Sequence, residues 1–500
     1  MDAFLSGFAV ILSPYYMGFM IIGVSVGLMV GFLPGLTGGI GIGLMLPFTF
    51  GMDPLAALVF LMSIFTGNLF GGAVTAIIFN TPGSPANVAT VLDGYPMHKA
   101  GDTERAMGLA LMSSFLGGLI GAACLLFLAG PMAMFALRFG PGEMFMVAIF
   151  GLSVVGSLSD NILKSLFAGT FGLLLGTVGI TAAGVTRGTF GSNLLLDGIP
   201  MIPALIGFLA LPEIYELAGR KITQSKDVAK ISSGKGSFIK LLKSLAETLL
   251  HIPRAIVSSF IGVIVGLMPA AGAAVAALLA YNQNKQWSRN PERWGTGIPE
   301  GIIAPETANS TSAGGALATT FVLGIPGSPS AAMILGALVL QGWVPGPRMF
   351  ITHSDIIYIS FSSLFVQQFV LLFLGIILCM VATKIVRLPI EFLMPAMAAF
   401  TMLGAFSNRS LLFDVYLMLF FSVISWIMKR NGFPIMPIIL GLLLGPIADV
   451  ELMRIHQLHD SFWHIFRSPI VVVLALISLI CVMLPAMVRY RNRRRISTQI

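Results

Sequence analysis

Asn80-Thr81-Pro82-Gly83-Ser84-Pro85 closes one long apolar run, and Gly324-Ile325-Pro326-Gly327-Ser328-Pro329 closes another. Each Pro-Gly-Ser-Pro interrupts sequence that otherwise reads as continuous helix. Proline has no N–H to give to the helix ladder, and glycine takes dihedrals that other residues avoid. In lipid a broken helix frees backbone groups that find no water, so a break is tolerated only where protein buries it or a wet cavity meets it. Two matching breaks, one per half, point to the binding site of a transporter.

The composition sets the solvent. Of 500 residues, 56% are hydrophobic and 10% charged, against about 25% charged in a soluble domain. This predicts an all-α polytopic membrane protein embedded in the lipid bilayer. Gly27-x-x-x-Gly31, Gly67-x-x-x-Gly71, Gly117-x-x-x-Gly121, Gly172-x-x-x-Gly176, Gly262-x-x-x-Gly266 and Gly441-x-x-x-Gly445 sit in apolar runs and suit close helix packing. Cys124, Cys379 and Cys481 lie far apart without metal-ligand spacing and read as small buried hydrophobes. Met1-Asp2-Ala3-Phe4 lacks the positive n-region of a signal peptide, so the first span is expected to be retained. The net charge of +8 arises from basic residues in loops, which speaks against nucleic acid as a partner.

Read in order, the chain offers about 12 transmembrane segments, several of them broken or re-entrant. Tyr15–Leu33 is a span, Leu36–Phe50 is too short to cross, and Leu55–Phe79 leads into the first break. Ala86–Leu92 comes next, closed by Asp93-Gly94-Tyr95-Pro96. Spans at 106–129, 143–158, 163–183 and 194–211 precede the long polar stretch 213–251. The second half opens with Ile256–Tyr281 as one span, then Gly301–Ile325, the second break, and Ala331–Leu340. Further spans fall at 355–382, 388–406, 411–428, 433–447 and 469–488. The expected division is an N-terminal membrane repeat at 1–212, a basic cytoplasmic linker at 213–252 and a C-terminal repeat at 253–500.

Three matches in the same order define the repeat. Gly27-x-x-x-Gly31-x-x-Pro34 pairs with Gly262-x-x-x-Gly266-x-x-Pro269, and the two Pro-Gly-Ser-Pro phrases pair. Asp93-Gly94-Tyr95-Pro96 pairs with Gln341-Gly342-Trp343-Val344-Pro345 with one insertion. Basic residues favour the cytoplasmic side, so Arg489, Arg491, Arg493, Arg494 and Arg495 place the C-terminus inside. Counting back puts His98–Arg105 inside and Trp343–Phe350 outside, which makes the repeats inverted, although Arg454 and Arg467 run against the rule. Met1 then lies outside.

No P-loop or dinucleotide fingerprint is present, and no nucleophile or metal set sits at one membrane depth, so an enzyme is not expected. His456-x-x-His459-Asp460 with His464 reads as an interfacial loop or, alternatively, a metal cluster. Polar residues gather beside the two breaks. Thr37, Asn68, Asn80, Thr81, Gly83 and Ser84 from one half, with Asn309, Ser310, Gly327 and Ser328 from the other, are the expected substrate-binding residues. Thr75, Thr307, Thr311 and Ser312 lie among them. Any one hydroxyl can simply cap a helix or bond a neighbour, but capping does not explain why both halves concentrate them beside the same break. Half-helix N-termini suit anions, and unwound carbonyls and hydroxyls suit Na⁺. Together they favour a carboxylate carried with a cation. Asp53, Asp93 and Glu306 are the candidates for ion coupling; Asp53-Pro54 also reads as a helix start, with Asp at N-cap and Pro at N1.

The run Pro34-Gly35-Leu36-Thr37-Gly38-Gly39, then Gly67-Asn68-Leu69-Phe70-Gly71-Gly72 and Asn80-Thr81-Pro82-Gly83-Ser84-Pro85-Ala86, resembles the large membrane subunit of the tripartite tricarboxylate transporters. Pro305-Glu306-Thr307-Ala308-Asn309-Ser310, the second Pro-Gly-Ser-Pro, the length and the polar central loop extend that resemblance over nearly the whole chain. Pro269-Ala270-Ala271-Gly272 departs from the first-half pattern, so the two half-sites are not expected to be chemically equivalent. The resemblance implies secondary active transport in the bacterial inner membrane, driven by an ion gradient. It also implies a small membrane subunit and a periplasmic solute-binding protein that delivers citrate-like tricarboxylates or other organic carboxylates. The expected activity is symport of such a carboxylate, with Na⁺ (sodium) as coupling ion and no cofactor. The alternative is a carboxylate channel or membrane scaffold without coupled transport.

Overall fold

Both breaks are built as the two phrases require. In the computed structural model, which describes residues 2–33, 36–158, 161–181, 184–212, 214–215, 238–269, 271–385, 390–458, 462–480 and 483, they end two long buried helices. The first half runs α1 (Asp2–Ile11), α2 (Pro14–Phe32), α3 (Gly38–Met45), α4 (Pro54–Phe79), α5 (Val88–Lys99), α6 (Thr103–Ala136), α7 (Pro141–Leu158) and α8 (Ile162–Gly176). A hairpin, β1 (Gly179–Ile180) and β2 (Thr186–Arg187), precedes α9 (Met201–Leu205), which loosens into a π-turn at Ile206–Ala210. The second half runs α10 (Phe238–Leu250), α11 (Ile252–Gly266), α12 (Gly272–Gln286), α13 (Glu300–Leu323), α14 (Pro329–Leu340), α15 (Ser354–Ile385), α16 (Ile390–Arg409), α17 (Leu412–Arg430) and α18 (Met436–Leu458). An apolar helix at Pro469–Ile480 comes last.

The chain forms two compact units: Met1–Ala133 with Glu213–Asn408, and Met134–Pro212 with Arg409–Ile500. Among the described residues, 6 helices are long and apolar enough to cross a membrane, or up to 7 if α10 and α11, bent by 74° at their junction, count as one. This makes the chain a multi-pass helical membrane protein.

Glycine lets the helices touch backbone to backbone. In the first unit α2 lies on α4, and a methyl group on Gly27 would come within 2.2 Å of the Ile64 carbonyl oxygen. The same contact recurs in the second half, where a methyl on Gly266 would stand 2.3 Å from the Ser312 carbonyl oxygen. In the second unit Gly172 of α8 abuts Ile438 of α18, and Gly441 abuts Gly169. Helices held by such small-residue seams gain van der Waals contact that bulky side chains would prevent. The same unit buries the Asp414 carboxylate against the Arg409 guanidinium, with Arg409 Nη2 at 2.5 Å from Oδ1.

Several local expectations give way. Ile256–Tyr281 is not one span: α11 ends at Gly266 and α12 begins at Gly272, whose φ of +72° favours glycine. That break matches the one between α2 and α3. Asp93-Gly94-Tyr95-Pro96 lies inside α5 instead of closing it, because the Asp93 carboxylate and the loop at 295–298 hold the next turn in place. Gln341–Pro345 instead comes after the end of α14, so the third motif pair does not carry over into local structure. The segment 163–183 is helical only to Gly176 and then turns into the hairpin. Within the polar stretch, residues 238–250 form an amphipathic helix: Leu241, Ser244 and Thr248 are buried, while Phe238, Ile239 and Leu250 are exposed. Glu247 on it accepts both arms of Arg105 at the start of α6, at 2.9 and 2.6 Å. Pro34, Gly35, Ala270, His459, Asp460, Cys481, residues 216–237 and the arginines at 489–495 lie outside the described residues.

Candidate functional site

The two breaks are local copies of each other. Asn80 ends α4 with φ 54°, and Gly324 ends α13 with φ 69°, both in the left-handed region. The chain then extends through Ser84 and Ser328 into a new helix start. Gly83 fits against its own half: a methyl there would lie 2.4 Å from the Gly31 carbonyl oxygen and 2.5 Å from Gly72 Cα. Gly327 has the equivalent setting, 2.8 Å from the Gly266 carbonyl oxygen and 2.7 Å from Ala316 Cα. Thr75 Oγ1 donates to the Gly72 carbonyl at 2.9 Å, and Thr319 Oγ1 to that of Ala316 at 3.1 Å.

Beyond each break the chain crosses into the other half. The turn Pro85–Asn87 and α5 pack on α12 and α13, while α14 packs on α3 and α4. A methyl on Gly38, at the start of α3, would stand 2.7 Å from Asn68 Oδ1 and 2.8 Å from Ser330 Oγ, so α3, α4 and α14 converge there. Asn309 Nδ2 donates to the Leu69 carbonyl in the middle of α4 at 3.3 Å.

Glu306 lies where the turn Pro85–Asn87 and α5 cross onto α13, and it is fully buried. Its Oε1 accepts from Asn87 Nδ2 at 3.1 Å and from the Thr90 hydroxyl, and its Oε2 from Ser114 Oγ at 3.2 Å. Three helices, α5 with its preceding turn, α6 and α13, thus supply one carboxylate and three donors. Such a carboxylate, held by two hydroxyls and an amide and taken out of water, is suited to hold a proton or a small cation. About one turn further along α13, a cavity of about 20 Å³ is lined by Ser310 with Thr66, Leu69 and Gln368 among apolar neighbours; about one water-sized sphere fills such a volume. Asn68 Nδ2, Asn309 Oδ1 and Ser310 Oγ are buried with no hydrogen-bond partner among the described residues.

The expected site residues therefore divide. Asn68, Asn309, Ser310 and Glu306 lie in the buried core, with Gly83, Gly327 and Ser328 at the breaks. Ser84 is half-buried and donates to Asn87 Oδ1 at 2.7 Å, whereas Ser328 Oγ caps α14 by accepting from Ala331 N at 3.2 Å. Thr37 is half-buried at the N-cap of α3, and Asn80 and Thr81 are exposed. Asp53 caps α4, accepting from Ala56 N at 3.0 Å and from the Tyr16 hydroxyl at 3.2 Å. It sits at the far end of a 26-residue helix from Asn80, roughly 39 Å away at 1.5 Å per residue. Asp93 is fully buried and accepts from Gly295 N, Gly297 N, Ile298 N and the Tyr281 hydroxyl. Asn87, Thr90, Ser114 and Ser330 escape the sequence reading. The one signal for them was an asparagine three positions after Ser84, in an otherwise apolar segment. Among the described residues no group of three or more His, Cys, Asp or Glu is placed to hold a metal ion.

The profile of the Tripartite tricarboxylate transporter TctA family matches residues 17–440. The chain belongs to the TctA family. An Agrobacterium vitis relative, described as an uncharacterized 52.8 kDa protein in the TAR-I ttuC' 3' region, is 31% identical over 491 residues, covering 98% of this chain and 96% of the relative. A second, an uncharacterized protein in the TAR-II ttuC' 3' region of the same organism, is 30% identical over 234 residues, covering 47% of this chain and 97% of that protein. No solved structure matches. TctA proteins are transporter subunits, not enzymes, and membership of a tripartite system implies a solute-binding protein and a small membrane subunit as partners.

Proposed function

We propose that this TctA-family chain is the translocating subunit of a secondary carrier that takes up citrate-like tricarboxylates or other organic carboxylates across the bacterial inner membrane. A periplasmic solute-binding protein delivers the substrate, the small membrane subunit completes the complex, and an ion gradient, Na⁺ in the first instance, drives uptake. The observation that carries this reading is the matched pair of helix breaks, each leading into a helix packed across into the other half. The starts of α5 and α14 turn the positive ends of their dipoles toward a carboxylate. Ser84, Asn68 and Asn309 add polar groups to that cradle. Glu306, with the Thr90 and Ser114 hydroxyls, supplies the anionic and neutral oxygens for the cation. The halves 1–212 and 253–500 are inverted repeats about the basic linker, with about 12 membrane segments counting the short ones and the C-terminus in the cytoplasm.

The test is uptake by the reconstituted complex, binding protein included, across citrate, dicarboxylates and aromatic carboxylates under imposed Na⁺ or pH gradients. Uptake that rises with a gradient is expected, and Ser84→Ala and Ser328→Ala should each lower it by about tenfold, or about 1.4 kcal/mol of binding. If both variants transported like wild type, the paired breaks would not form the site. Uptake that ignored both gradients and needed no binding protein would identify a channel or scaffold.

A further inference from the structure

Asn87 has no part in the carrier's binding site as proposed, yet it touches both the first break and the buried carboxylate. It is fully buried, in a space that Gly72 opens: a methyl there would come within 2.1 Å of Asn87 Oδ1. Its amide has two unlike ends. Oδ1 accepts from Ser84 Oγ at 2.7 Å, and Nδ2 donates to Glu306 Oε1 at 3.1 Å. Ser84 and Asn87 come from the first repeat and Glu306 from the second, so this one side chain spans the two. The connection exists once. Counted from the second Pro-Gly-Ser-Pro, the position of Asn87 is Ala331 and that of Thr90 is Ile334, and the counterpart of Glu306 in the first half is Met62.

We propose that Asn87 is a positioning residue that makes substrate binding at Ser84 depend on the cation held at Glu306; this rests on the carrier reading. With the carboxylate bare, the amide N–H₂ faces Glu306 and Oδ1 holds the Ser84 hydroxyl proton, so Ser84 has no proton to offer a carboxylate substrate. A cation at Glu306 repels the N–H₂ group and attracts Oδ1. Turning the amide end for end presents Nδ2 to Ser84 Oγ, which accepts from it and frees the hydroxyl proton for the arriving anion. The amide is then a two-state element that both ligands bias, which is what coupling between sites requires. Linkage makes the effect reciprocal: substrate at Ser84 tightens cation binding by the same factor.

The experiment measures substrate affinity of the reconstituted complex at low and high Na⁺ at one pH, then across pH without Na⁺, with citrate, succinate and benzoate as probes. Wild type should bind its transported probe about tenfold more tightly when the coupling cation is added. Asn87→Ala should reduce that ratio to about twofold or less, and so should Asn87→Asp, which keeps the size but has no N–H₂ end. The ratio is the informative readout, because a loss of folded protein lowers uptake without changing it. Should Asn87→Ala not assemble, Asn87→Asp and Ser84→Ala carry the test: each must lose the ratio, and the double variant must lose no more than either alone. An Asn87 variant that keeps the wild-type ratio overturns the connection and leaves the carrier standing. A wild type whose affinity ignores both cations, or that takes up none of the probes, overturns the carrier reading and the connection with it.

Discussion

Removing the Asp93 carboxylate strands four donors at once: the N–H groups of Gly295, Gly297 and Ile298 and the Tyr281 hydroxyl. Gly295 is exposed and its N–H can turn to water, but Tyr281 is buried and Gly297 and Ile298 are half-buried; a buried donor left without an acceptor costs about 1–3 kcal/mol, so Asp93→Ala should destabilise the chain by about 3 kcal/mol. Asp53→Ala loses a helix cap and should cost about 1 kcal/mol. Unfolding of the purified variants in detergent checks this, and equal stabilities would show that the Asp93 donors find other partners. In the sequence Asp53, Asp93 and Glu306 form one class of acid beside a membrane core. The Asp-Pro pairing made the cap legible, because its partner Ala56 is three residues away. The partners of Asp93 lie in α12 and the loop after it in the other half, and those of Glu306 come from α5, α6 and the turn at Pro85–Asn87. No local spacing encodes such neighbours.

At the scale of elements, the breaks were legible and the surrounding helices less so. Pro-Gly-Ser-Pro announces itself, since neither proline has an N–H to give to a helix ladder and a glycine lies between them. The interruption between α11 and α12 did not, because Leu267-Met268-Pro269-Ala270-Ala271 is as apolar as its flanks and only one proline marks it. The helix α10 was hidden by Lys240 and Lys243 on its outer face, which made an amphipathic segment resemble a linker. The two breaks also make a steric prediction. A methyl on Gly83 would press on the Gly31 carbonyl oxygen and on Gly72, and one on Gly327 would press on Gly266 and Ala316. Overpacking of this kind costs about 1–3 kcal/mol. Gly83→Ala and Gly327→Ala should therefore each reduce the yield of monodisperse protein, with Gly83→Ala the more severe because its contacts are closer. Yields matching wild type would mean that the breaks shift freely.

Across the whole molecule, inversion of the repeats predicts that Lys99 and Arg348 face opposite sides of the membrane. Both are exposed, so single cysteines placed there, after replacing Cys124, Cys379 and Cys481, should react with an impermeant reagent from opposite sides. Labelling of both from one side would rule out the inverted arrangement. The repeat was visible in the sequence because glycines and prolines must recur where backbones bend and touch. The inequality of its two halves was visible only as a weakened motif at Pro269-Ala270-Ala271-Gly272. The larger inequality, a buried acid with an amide partner on one side and Met62 with Ala331 on the other, needed the fold to bring distant positions together. The crossing of α5 and α14 also bears on how the protein is made. A nascent chain inserts its N-terminal half first, yet α5 finds α12 and α13 only after roughly two hundred further residues have left the ribosome. Until then Asn87, Thr90 and Asp93 lack the groups that satisfy them, so the early half waits in the membrane as an unfinished intermediate, the form on which chaperones and membrane proteases act.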